Sequence, residues 1–215
     1  MNLSVIIPTL NAATTLPTTL AALANVAEII VVDAGSTDAT REQAATSGAR
    51  VLTAPRGRGS QLAAGIAAAT QPWLLLLHAD TTLSANWRTA THIDPTQAGY
   101  FRFALDSPDP RARRLERMVA WRSRVLGLPY GDQGLLIHRD LLRTVGGMKP
   151  LPLMEDVDLI RRLGRTRLIP LPADATTSAR KWESQGYLTR SARNLLCLSL
   201  WFAGIAPEKI QRIYG

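Results

Sequence analysis

A chain of 215 residues, 46% hydrophobic and 20% charged, is long enough for one domain with a sizeable core and too apolar for a disordered segment. Its one cysteine, Cys197, excludes an intramolecular disulfide scaffold and a cysteine-rich zinc site. Net charge is +8, and 22 of the 25 basic residues are arginine, so an anionic partner is expected, whether nucleic acid, nucleotide phosphate or acidic membrane.

No cationic start followed by a long apolar stretch reads as a signal peptide. The longest nearly apolar run, residues 195–206, falls short of the roughly 20 residues that cross a bilayer. A cytoplasmic protein is expected, with peripheral contact at the inner face of a membrane left open.

Residues 3–7, 29–32 and 73–77 are short apolar runs, and residues 50–53 form a weaker one. Unbroken runs of this kind suit strands covered on both faces, as in parallel sheets. Between them lie alanine-rich segments of helical length, about 13–25, 37–47, 60–70 and 84–91. Such alternation predicts a doubly wound, mostly parallel sheet flanked by helices, with ligands beyond the carboxyl ends of the strands. The second half is less regular. Residues 111–126 read as an amphipathic helix with Leu115, Met118, Val119, Val125 and Leu126 inward and Arg113, Arg117 and Arg124 elsewhere. A loop at 129–134 precedes a strand at 135–138, residues 155–163 look helical, and residues 188–203 form a last amphipathic or buried helix. No linker, repeat or low-complexity tract interrupts the chain.

The predicted strand ends gather polar, small and acidic residues on one rim. Asp33 opens the run Asp33-Ala34-Gly35-Ser36-Thr37-Asp38, where a carboxylate can accept from a base N–H or a ribose hydroxyl, or where Ser36 or Thr37 simply caps a helix. Gly57-Arg58-Gly59 precedes a helix like a phosphate loop but lacks the P-loop spacing, and a flexible turn is the plainer reading. His78-Ala79-Asp80 ends a strand, and a carboxylate there can hold Mg2+ or Mn2+ that also binds a diphosphate, or can cap the strand end. Met154-Glu155-Asp156-Val157-Asp158 sets three acids at a helix start. The helix dipole alone favours acids there, yet a carboxylate in a cleft can also serve as general base. Ser178-Ala179-Arg180-Lys181-Trp182 could clamp a diphosphate, stack on a sugar, or be a solvated face.

In order, these pieces resemble a family-two inverting glycosyltransferase of the GT-A fold, closest to a compact bacterial subgroup with a His-Ala-Asp-Thr motif. The matching set is Pro8-Thr9-Leu10-Asn11, Asp33 to Asp38, Gly57-Arg58, His78-Ala79-Asp80, Gly131-Asp132-Gln133-Gly134, Gly146-Gly147 and Met154-Glu155-Asp156, within residues 3–165. The resemblance implies one domain over residues 1–215. Its nucleotide-binding half would be 1–105, and its acceptor-side half 106–215 would include the C-terminal helix. It implies transfer of a sugar from a UDP- or GDP-sugar to an acceptor hydroxyl. Pro8, Thr9, Asn11, Asp33, Gly57, Arg58, Gln61 and Ala79 would hold the nucleotide. Asp80, with His78, would stand at the Mg2+ or Mn2+ position. Asp156 would be the base, with Glu155 beside it, and Gly131, Asp132, Gln133, Arg180 and Trp182 would line the sugar or acceptor side.

Three departures from the family pattern are Ala34, His78 and Ala63, where members often carry an acid, an acid and an asparagine. The rivals are a non-catalytic nucleotide-sugar-binding protein on the same fold and a basic nucleic-acid-binding module. The second lacks arginines interleaved with aromatics, so no nucleic acid is expected. The acceptor stays unknown, a lipid or lipid phosphate being one option that the arginines of 111–124 suggest.

Overall fold

All seven residues of β1, Leu3–Thr9, are buried, as an apolar strand in the middle of a sheet must be. In the computed structural model, which describes residues 2–214, successive side chains of β1 point to opposite faces. Val5 and Ile7 join one core cluster and Ile6 joins another. Each fully buried aliphatic side chain contributes about 1.5–3 kcal/mol. The strand parallel to it, β2 (Glu28–Asp33), and the edge strand β3 (Arg50–Thr53) lie on one side, and β4 (Trp73–Leu76) on the other.

Three helices connect these strands. α1 (Leu16–Ala22) and α2 (Thr40–Thr46) send Leu16, Leu20 and Ala44 into the first cluster. α3 (Arg58–Ala68) sends Leu62 into the second. Helices therefore cover both faces, as the alternation predicts. α1 is shorter than expected: Pro17 sits in its first turn and Asn25, at φ 63, ends the segment beyond it.

The second half completes an eight-stranded sheet in the order β3-β2-β1-β4-β7-β6-β8-β5. Its strands are β5 (Thr81–Leu83), β6 (Ala98–Leu105), β7 (Leu135–His138) and β8 (Leu168–Thr177). β7 runs antiparallel to β4 and β6, β5 antiparallel to β8, and β6 parallel to β8. The remaining helices are α4 (Pro110–Trp121), α5 (Arg139–Thr144), α6 (Glu155–Leu163), α7 (Arg180–Gln185), α8 (Tyr187–Phe202) and α9 (Pro207–Tyr214).

Two expectations are corrected. Residues 84–91 hold only a 3-10 turn at Thr89–Thr91, because Ser84 Oγ bonds Asn86 Oδ1 at 2.7 Å and buried Trp87 donates to Ala22 O at 3.1 Å. The helix at 111–126 ends as a π-helical turn, Arg122–Leu126. That widened turn buries Ser123, whose hydroxyl bonds Gln133, and swings Val125 and Leu126 outward. Leu115 and Val119 are buried as expected, but Met118, Val125 and Leu126 are 63%, 45% and 51% exposed.

The segment 146–153 lies against the start of α3. A Cβ added at Gly59 would sit 2.5 Å from Leu151 O and 2.6 Å from Lys149 O. Only glycine admits this approach, which sets where α6 begins. Gly59→Ala should therefore cost about 1–3 kcal/mol through overpacking. Urea unfolding measures this, and an unchanged midpoint would mean that the loop yields freely.

Candidate active site

The carboxyl ends of β1 and β2 are tied together by one buried acid. Asp33 Oδ1 accepts from the Gly35 and Ser36 amides at 3.0 and 2.8 Å, and Oδ2 accepts from Thr9 Oγ1 at 3.0 Å and from Ser36 Oγ. Burial pushes the Asp33 carboxyl up, but these hydrogen bonds more than offset it and hold it below the ordinary range. Gln61 Nε2 on α3 donates to Thr9 O and Val32 O at 2.9 and 2.7 Å. Thr9, Asp33 and Gln61 are thus engaged inside the protein, and Pro8 is buried in β1. Asn11, at φ 51, is exposed and exchanges hydrogen bonds with Ser36 and the Thr37 amide. Ala79 is half-buried, and its carbonyl accepts from Thr19.

Four elements converge beyond the end of β4. Arg58, the first residue of α3, follows Gly57 at φ 140. Its Nε donates to Glu155 Oε1 at 2.6 Å, its Nη2 to Asp156 Oδ2 at 3.4 Å, and its Nη1 lies 3.2 Å from His78 Nε2. Glu155 is 1% exposed. Burial raises its pKa and Asp156 adds to that, while Arg58 opposes it. Burial also works against the charge of Arg58, yet Glu155 and Asp156 raise its pKa further, so it stays a cation. Met154, in the left-handed region at φ 65, turns the chain into α6 so that both acids face Arg58.

Asp156 is held at three points. Its Oδ2 accepts from the Gly131 amide at 2.8 Å as well as from Arg58, and its Oδ1 accepts from the Val157 amide at 2.8 Å. Burial pushes its carboxyl up, but Arg58 and the two amides hold it below the ordinary range, so it is an anion at neutral pH. A Cβ at Gly131 would meet His78 Nε2 at 2.8 Å and Asp156 Oδ2 at 3.1 Å, so glycine is what lets the two groups share this corner. Burial and then Arg58 push the His78 imidazole down to about 4, which keeps it neutral, with Nε2 as acceptor.

The turn at Gly131–Gln133 is braced from behind. Gln133 is 1% exposed; its Oε1 accepts from Ser123 Oγ and its Nε2 donates to Phe101 O, at 2.9 and 3.0 Å. The Arg122 guanidinium sits 3.6 Å from the Tyr130 ring centre, and burial pushes the Tyr130 phenol up to about 12. Asp132 has a raised pKa, through burial first and then through Asp156 and Asp80 against the pull of Arg122 and Arg58. Its Oδ1 is buried without a partner, as are Glu155 Oε2 and Tyr130 OH. A cavity of about 30 Å³ lies beside His78, Tyr130, Glu155 and Asp156.

The sequence-predicted residues therefore separate into groups. Arg58, His78, Gly131, Glu155 and Asp156 are together, with Asp80 and Asp132 close enough to act on them electrostatically. Arg180 Nη1 reaches Thr14 Oγ1 at 3.3 Å, bridging α7 to the loop after β1. Trp182 faces the protein: it is 9% exposed and stacks on Tyr187 with ring centres 6.1 Å apart. Tyr214, on α9, acts electrostatically on Arg58 and carried no motif that would have singled it out.

Asp80 accepts no side-chain hydrogen bond among the described residues, and no three His, Cys, Asp or Glu side chains there gather into a metal cage. A hard cation that takes its other ligands from a diphosphate and water needs only one or two carboxylates, so Asp80 fits. The Nε2 lone pair of His78 is already engaged by Arg58.

A family model described as Glycosyl transferase family 2 matches residues 4–107, just under half of the chain. Uncharacterized glycosyltransferases of Mycobacterium bovis and Mycobacterium tuberculosis are 42% identical over 83 residues, 38% of this chain and 38% of each relative. The match thus spans well under half of those relatives. Glucosyl-3-phosphoglycerate synthase from Mycobacterium tuberculosis, in complex with Mg2+ and UDP, superposes with TM-score 0.58 at 21% identity, covering 82% of this chain and 69% of that one. The same protein with Mn2+ and UDP-glucose gives 0.58 at 22%, with the same coverage. These likenesses show the fold, the GT-A fold expected from the sequence. The family model and these relatives are both described as glycosyltransferases.

Removing Arg58 would strand Glu155 as a buried, unpaired carboxylate. Arg58→Met should cost about 2–3 kcal/mol at pH 7.5, less than a fully buried pair because Arg58 is partly exposed. A carboxyl whose folded pKa is raised favours the folded state while protonated and loses that contribution as pH rises. The deficit should therefore shrink as pH falls toward 4.5. Urea melts at both values check this; a pH-independent deficit would count against the pairing.

Proposed function

We propose that this chain is an inverting glycosyltransferase that moves a sugar from a nucleoside-diphosphate donor, UDP- or GDP-linked, to an acceptor hydroxyl. The observation that carries the reading is Asp156, an anion at neutral pH whose Oδ1 keeps a lone pair beyond the bond from Val157. That atom takes the proton of the acceptor hydroxyl as its oxygen attacks the anomeric carbon. The bond from that carbon to the diphosphate breaks, and the nucleoside diphosphate leaves with the electron pair. Glu155 acts through Arg58: it is a positioning residue that fixes the guanidinium against Asp156. Asp132 offers its unpartnered Oδ1 to a sugar hydroxyl. Asn11 and the Ser36–Thr37 turn border the nucleoside, and Arg180 and Lys181 lie toward the diphosphate.

Asp80 would hold the Mg2+ or Mn2+, which when bound neutralises charge on the diphosphate. Support for a UDP donor and a divalent ion comes from the UDP, Mg2+ and Mn2+ in the complexes of the structural neighbour. A non-catalytic sugar-nucleotide binder has no use for so constrained a carboxylate, and that rival is not favoured. Peripheral membrane contact remains part of the proposal on the strength of exposed Met118, Trp121, Val125 and Leu126 beside Arg117 and Arg124. Among the described residues no helix is long and apolar enough to cross a membrane.

Asp156→Asn should lower turnover about 10²–10⁴-fold while UDP affinity persists. Full turnover in that variant would remove Asp156 from the role of base. Asp80→Ala should abolish the gain in UDP affinity that Mn2+ brings, and calorimetric titrations with and without Mn2+ that coincide in the native protein would rule out a shared metal.

A further inference from the structure

The inner face of α8 carries two arginines that no acid among the described residues pairs with. Tyr187, Arg190, Asn194, Cys197 and Trp201, three or four residues apart, face inward, and Arg193 is half-buried beside them. Arg190 Nη1 and Arg193 Nη2 both donate to one neutral acceptor, Gln185 Oε1, the first at 3.1 Å. Arg190 Nη2 also reaches Tyr214 OH at 3.5 Å, and its guanidinium lies 5.0 Å from the Trp182 ring centre. Neither arginine forms an ion pair among the described residues, although Arg58, Arg102, Arg111, Arg113, Arg143 and Arg162 all do. Arg190 Nε, Arg193 Nε and Trp201 Nε1 are buried donors without an acceptor.

Two guanidiniums converging on one amide oxygen repel each other, and orphaned donors add a desolvation cost. An anion in place of the Gln185 oxygen removes both penalties. Gln185 is exposed and ends α7 just before Gly186, so its amide can yield the position.

The pair lies near the helix start that carries the acids. Cys197 of α8 and Ile210 of α9 pack with Met154 and Val157, the residues that bracket Glu155 and Asp156. Tyr214, the neighbour of Arg190, is among the groups acting on Arg58. We propose that Arg190 and Arg193 form a subsite for a phosphate group carried by the acceptor, which this pair grips bidentately while the acceptor hydroxyl is directed toward Asp156. The proposal rests on the glycosyltransferase reading and names the chemical class of its acceptor.

Calorimetric titration of inorganic phosphate, with UDP already bound, tests it. The native chain should bind phosphate saturably, and the double variant Arg190→Gln, Arg193→Gln should bind it at least about tenfold more weakly with UDP affinity unchanged. Arg193→Lys, which keeps the charge and loses the fork, should fall between the two and serves if the double variant does not fold. Co-sedimentation with phosphatidylcholine vesicles, with and without phosphatidic acid, separates the sources. Arginine-dependent binding to the acidic vesicles assigns the phosphate to a lipid headgroup. Retained binding of inorganic phosphate without sedimentation assigns it to a soluble ester. Phosphate binding that is absent from the native chain, or untouched by both variants, overturns the subsite. A chain that binds phosphate at this pair yet binds no UDP overturns the glycosyltransferase reading and leaves the subsite standing.

Discussion

A carboxylate at Glu155 that is almost wholly removed from water needs a cation, and Arg58 supplies it from the other half of the chain. Most of the site follows from that requirement. Because Arg58 opens α3, its guanidinium cannot reach Glu155 unless segment 146–153 packs against Gly59 and Met154 turns sharply into α6. Once it does, Asp156 is delivered to the Gly131 amide and His78 is left neutral beside it. One ion pair thus couples the rim built by the parallel strands to the acidic helix start that the later part of the chain contributes.

Much of this was legible in the residues. β1, β2 and β4 announce themselves because a strand buried on both faces is an unbroken apolar run, and the polar rim follows from where those runs stop. β6 and β8 were not seen. Arg102 interrupts the first, and Pro170, Pro172 and Asp174 interrupt the second, where Asp174 pairs with Arg102 across the sheet. A half-covered strand with such pairs has no simple pattern. The acids 155 and 156 could be named from their neighbours in sequence, but Arg58 is 97 residues from Glu155, and no local pattern encodes that meeting. Trp182 shows the opposite failure: an aromatic beside two cations suggests a ligand platform, yet it fills the core beneath α7 and α8.

The surplus of positive charge also divides. Arg58 is consumed by the acids, and Arg102, Arg111, Arg113 and Arg162 are consumed by local carboxylates. Of the cations left over, Arg114, Arg117, Arg122, Arg124, Arg190 and Arg193 lie on α4, the π-helical turn and α8, which also carry exposed apolar side chains. Residues 1–105 carry six basic and six acidic side chains, so the net +8 resides in residues 106–215.

The sheet order has a consequence for how the protein comes into being. Among themselves β3, β2, β1 and β4 pair only in parallel, and all lie before residue 77. A chain emerging from the ribosome can assemble this half, with its helices, while the rest is still being made. β7 then closes antiparallel on β4, and the turn that holds Asp156 arrives with it. The nascent protein thus acquires the rim around Asp33 first and the acidic helix start at Glu155 and Asp156 late, so an unfinished chain has one wall of the cleft without the other.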